Sequence, residues 1–95
     1  MSVILRLQPG LPSLRTPALR LSVREALAEG RDRSGFRLAR YSIKDAELRL
    51  SVQALDRRAL ARGIQGLSIR IARALNRSLS RKGRVFADRY EVSAP

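Results

Sequence analysis

Residues 36–83 read FRLARYSIKDAELRLSVQALDRRALARGIQGLSIRIARALNRSLSRKG, and their patterning decides the fold. Within residues 47–54, Leu48, Leu50, Val52 and Ala54 alternate with Glu47, Arg49, Ser51 and Gln53, which predicts a strand with one apolar and one polar side. The run 36–43 (FRLARYSI) reads as the strand before it, and the short link Lys44-Asp45-Ala46 makes the two an antiparallel hairpin. The period then changes. Leu60, Ile64, Leu67, Ile71, Leu75 and Leu79 recur at three- and four-residue steps, which predicts a helix over residues 57–82. Asp56 supplies its cap and Gly83 its stop signal. Arg62, Arg70, Arg73, Arg77 and Arg81 form a second stripe, roughly 140° round that helix from the apolar one. One side of the helix needs a core and the other suits anions. Gly63 and Gly66 inside it each cost roughly 1 kcal/mol relative to alanine, and they mark either close packing or a bend.

Outward from this stretch, residues 3–7 (VILRL) read as a strand ended by Pro9, Gly10 and Pro12. Thr16-Pro17 opens a helix expected over residues 17–34, with a hydroxyl cap and proline at the first helical position. Leu19, Val23, Ala26 and Leu27 are its buried side, and Gly35 is favoured over Gly30 as its end. Glu25 and Glu29 stand among arginines and read as a solvated, salt-bridged face, not a catalytic pair. Residues 85–92 are expected to hold a short last strand. The order β-α-β-β-α(-β) gives an α+β fold with both helices on one face of an antiparallel sheet, the ferredoxin-like sandwich. All 95 residues fit a single domain.

The net charge is +12, and it is unevenly placed: residues 55–90 hold ten basic and two acidic side chains, a local balance of +8. Lys44 and Lys82 are the only lysines. GC-rich coding explains arginine over lysine as well as guanidinium chemistry does, but a solvated helix face usually mixes signs and this one does not. A polyanion partner is expected. With neither cysteine nor histidine, the chain has no disulfide framework, no thiolate, no zinc site of the usual ligands and no Ser/His or Cys/His pair. No apolar run is long enough to span a membrane. The opening MSVILRLQPGLP has neither a basic leader nor a cleavage site, so a cytoplasmic protein is expected, nucleoid-associated if it binds DNA.

The segments PGLPSLR, GFRLARYSI and ELRLSVQALDRRALARGIQGLSIRIARALNRSLSRKGRVFADRY together resemble the HUH-type transposases with a single catalytic tyrosine, in their REP-associated branch. The resemblance runs over roughly residues 5–90 and implies the ferredoxin-like fold and an ancestral single-strand or hairpin DNA substrate. In that family the third strand carries histidine, a hydrophobic residue and histidine, which hold a divalent metal. Here the pattern falls on Glu47, Leu48 and Arg49, so both histidines are replaced. A guanidinium repels a cation, and one carboxylate is a poor magnesium site. The family's DRYH-like segment falls on Asp88, Arg89, Tyr90 and Glu91. Its nucleophilic tyrosine lies beyond that segment, and neither Tyr41 nor Tyr90 matches it.

The expectation is therefore a transposase-like scaffold with no catalytic residue, no metal and no cofactor, degenerate and truncated. It binds nucleic acid, DNA ahead of RNA, through Arg62, Arg70, Arg73, Arg77 and Arg81, extended by Lys82, Arg84 and Arg89. Arg49 takes a phosphate where the family places metal. Four aromatic residues are too few for stacking along a single strand, so backbone contacts are expected to dominate. A homodimer through a free sheet edge is also expected. The competing reading is a structural or regulatory protein-interaction module, and a third is a remnant without selected function.

Overall fold

The computed structural model describes residues 1–33, 35–87 and 90–93. Strand β1 is Ser2–Arg6, α1 is Pro17–Glu29, β2 is Asp32–Arg33, β3 is Phe36–Ile43, β4 is Glu47–Ala54, α2 is Arg57–Leu79 and β5 is Glu91–Ser93. They form one antiparallel sheet in the order β2-β3-β4-β1-β5, with the helices on one face. Without the two-residue β2, this is the ferredoxin-like arrangement expected.

The core lies where the alternation and the helical stripes meet. Val3 and Leu5 of β1, Phe36 and Leu38 of β3, and Leu48, Leu50 and Val52 of β4 are buried toward the helices. Leu19, Val23, Ala26 and Leu27 close it from α1, and Leu60, Ile64, Leu67, Ile71 and Leu75 from α2. Burying each such side chain contributes about 1.5–3 kcal/mol. Gly63 fits because α2 presses on Phe36: a Cβ there would stand 2.2 Å from Cδ1 of that ring.

The ends of α1 and α2, the last strand and the cap of α1 differ from the sequence reading, each for a local reason. Strand β1 runs over Ser2–Arg6, one residue earlier than the expected 3–7. Helix α1 ends at Glu29, capped at Gly30, and does not run to residue 34. Asp32 and Arg33 pair instead with Arg37 and Phe36, and Gly35 takes the positive φ (75°) that this reversal needs. Gly30 also lets α1 approach α2, since a Cβ there would lie 2.7 Å from Leu67 Cδ2. At the other end, Thr16 occupies the cap position without capping through its side chain; its hydroxyl donates to Ser13 O at 3.0 Å. Helix α2 starts as expected, Asp56 accepting from Ala59 N at 2.8 Å. It stops at Leu79, before Gly83: Ser80 adopts φ 51°, ψ 46°, and the Arg81 amide bonds Asn76 O at 3.0 Å. The expected last strand over 85–92 resolves into a bridge between Leu7 and Phe86 and the separate strand β5.

One irregularity shapes the sheet. Leu38 pairs with Val52 but Arg40 pairs with Ser51, so Ala39 is an extra residue, a β-bulge. Among the described residues, no helix is long and apolar enough to cross a membrane.

Candidate nucleic-acid interface

Residues of α2 rise about 1.5 Å each, so Arg62 and Arg77 stand roughly 22 Å apart along one exposed side of the helix. The side chains of Arg62, Arg73 and Arg77 are exposed and have no hydrogen-bond or ion-pair partner among the described residues. Lys82 extends the row under the same conditions. Arg70 leans toward α1, its Nη1 lying 3.9 Å from Glu29 Oε2. That is the outer limit of an ion pair, between exposed groups, and such a pair contributes little.

A groove of about 320 Å³ separates the helices, with Glu25 and Glu29 on one wall and Arg70, Arg73 and Arg77 on the other. The hydroxyls of Ser22 and Ser78 bridge it at 2.6 Å. The acidic wall offsets the guanidinium nearest to it, Arg70, and leaves the outward ones their charge.

Arg81 departs from the linear pattern. It is half-buried and donates to Asn76 Oδ1 at 2.6 Å and to Arg84 O at 3.1 Å, closing the turn that ends α2. Asn76 reciprocates, its Nδ2 donating to Gly83 O at 2.9 Å. Arg81 is therefore first a structural residue, with part of its donor fork already used. Arg84 is exposed and its carbonyl is held in this same turn. Arg89 lies outside the described residues.

The face of the sheet opposite the helices is uncovered. Across its middle run two cross-strand rows, Arg40–Ser51–Ser2–Ser93 and Ser42–Arg49–Ile4–Glu91. Glu47 and Arg49, the positions where the transposase resemblance places metal ligands, are bonded to each other, Arg49 Nε to Glu47 Oε2 at 2.6 Å. Arg6 is ion-paired with Glu91 on the neighbouring strand. That hydrogen bond, and then the charge of Arg6, holds the Glu91 carboxyl below its ordinary range; the same contacts raise Arg6. Two acids and two arginines thus form a compensated patch.

Two further cations on this face escaped the sequence reading. Arg37 and Arg40 are exposed and unpartnered among the described residues. Strict alternation from Phe36 would turn Arg40 toward the core with Leu38. The bulge at Ala39 reverses this, placing Arg40 with Ser51 on the open side. Arg20 and Arg24 on the exposed side of α1 also add to the basic helical layer. A cavity of about 500 Å³ beside Phe36, Ala54 and Leu55 has Asp32 and Arg37 as the charged residues of its lining.

No family model matches this chain, and no curated protein matches it.

Proposed function

We propose that this chain is a non-catalytic nucleic-acid-binding protein, DNA ahead of RNA, that seats a phosphate backbone along α2. The observation that carries the reading is the row Arg62, Arg73 and Arg77, unpartnered over about 22 Å of one helix face. Arg70, Lys82 and Arg84 extend it. Guanidinium groups bind phosphate oxygens through a planar fork, and such contacts give affinity without reading sequence.

The resemblance to single-tyrosine transposases fits this reading as that of an inactive relative. The ferredoxin-like fold is compatible with it, and the ion pair between Glu47 and Arg49 supports the loss of metal chemistry. A DNA-bound protein of this kind belongs with the nucleoid. A homodimer through a sheet edge is not part of the proposal. The two edge strands are short, β2 with two residues and β5 with three exposed ones, and short edges discourage edge pairing.

The test is the salt dependence of affinity for a short duplex, read by fluorescence anisotropy. Four to six neutralised phosphates give a log–log slope of about −3 to −5 across single strands and duplex, the duplex lying at the steeper end. Replacing Arg70, Arg73 and Arg77 together by glutamine is expected to flatten it by about two to three units. The control is Arg57→Gln with Arg58→Gln, at the start of α2. A triple variant that binds as tightly as the parent would leave the row a solvated face and remove the proposal.

A further inference from the structure

We infer that the open face of the sheet is a second phosphate seat, so that one chain holds two nucleic-acid segments at once, one on each side. The inference rests on the nucleic-acid reading of α2 and adds an occupant that reading does not require. A recess of about 380 Å³ on the open face is lined by Ser2, Ser42, Ser51, Arg40 and Arg49, with Ile4 and Tyr41 among its apolar lining. Hydroxyl and guanidinium donors around a shallow recess are the chemistry that holds a phosphodiester.

Two features separate this recess from an ordinary polar surface. The first is the bulge, which delivers Arg40 to the open face where alternation from Phe36 would have buried it. A buried guanidinium without a partner is costly, so the extra residue places a charge outside that then meets no acid. The second is the state of the neighbouring charges. Arg6 is matched by Glu91, and Arg49 gives only Nε to Glu47, leaving its two terminal nitrogens uncommitted. Asp32 stands opposite Arg37 in register without an ion pair. Arg49 is matched in charge by Glu47 and offers only spare hydrogen-bond donors, so the unmatched charges of the open face are Arg37 and Arg40 against Asp32.

The occupant is held by its backbone more than by stacked bases, because Tyr41 is the one aromatic residue lining the recess and a single ring is too few for stacking along a strand. It is also a different segment from the one on α2. The two seats face in opposite directions across a molecule 21–22 Å thick, and a straight segment on one cannot reach the other. With Asp32, Glu47 and Glu91 on the same face, the sheet seat is the weaker. About two phosphate contacts give it a salt slope near −2, against −3 to −5 for α2.

The experiment is a capture assay at low salt. A duplex is fixed to beads, protein is added, and a second, labelled duplex is offered, with light scattering fixing the protein mass under the same conditions. The parent is expected to retain the label. Arg37→Gln with Arg40→Gln is expected to lose at least about tenfold of that capture while its affinity for one duplex changes no more than about threefold. Titration with a short oligonucleotide should correspondingly fall from two per chain to one. Both side chains are exposed, and circular dichroism checks that the variant keeps its fold.

A parent that binds one duplex but never captures a second would overturn the inference and leave the α2 proposal standing. Capture that survives in the double variant would assign bridging to self-association instead, and also overturn it. Poly-glutamate that displaces the label while duplex competitor does not would make the occupant an acidic protein. A parent with no duplex affinity removes both readings.

Discussion

Gly63 shows how a single missing side chain positions the candidate interface. Because α2 rests on the Phe36 ring at that point, the helix can lie flat on β3 and β4 and present Arg62 and Arg73 outward. An alanine Cβ would meet three ring atoms at 2.2, 2.3 and 2.6 Å, and the ring is 3% exposed, with little room to yield. Gly63→Ala is therefore expected to destabilise the fold by about 1–3 kcal/mol, although alanine recovers roughly 1 kcal/mol of helix propensity. A urea midpoint equal to or above the parent's would show that Phe36 moves freely. At this scale the apolar stripe of α2 was readable and Arg81 was not. Arg81 follows Arg77 by four residues, so it counts as part of the stripe only while the helix continues. The helix ends at Leu79, and from there the turn decides where a guanidinium points.

Among the elements, α2 closes on an unusual residue. Ser80 is the one described residue other than glycine with a positive φ, and its left-handed conformation costs about 1 kcal/mol that glycine does not pay. Ser80→Gly is expected to raise stability by about 0.5–1 kcal/mol, measured as a higher urea midpoint at unchanged slope, with duplex affinity unaltered. A lower midpoint would mean that unfolded-chain entropy outweighs the relief of strain. The element order, the hairpin and both buried helix faces were legible because each repeats a period several times. The end of α1, strand β2 and the bulge were not, because none of them carries a period. In each, one or two residues settle the conformation through a contact that no repeating period announces: Gly30 against Leu67, Asp32 against Arg37, and Arg40 beside Ser51. The bulge mattered most for the candidate sites. It conceals Arg40 from any reading that assumes unbroken alternation.

For the molecule as a whole, +12 on 95 residues with three ion pairs among the described residues is a source of self-repulsion in the folded state. Salt shortens the reach of that repulsion, from about 30 Å at 0.01 M to about 8 Å at 0.15 M. Stability is thus expected to rise between these conditions, where a gain of 1 kcal/mol would raise the melting temperature by about 4–8 °C in a domain of this size. A melting temperature that falls with salt would mean that the exposed ion pairs outweigh the repulsion. The same charge favours any polyanion that binds the native state, in proportion to its occupancy. The sheet order has a different kind of consequence, one of sequence in time. Val3 pairs with Leu50 on one side and Val92 on the other, so β1 is made well before either neighbour exists. Hairpin β3–β4 closes over a short loop, whereas seating β1 closes a long one, and the entropy of that closure must be met before its contacts form. As the chain grows, this interior strand waits, unpaired, for the hairpin that will receive it.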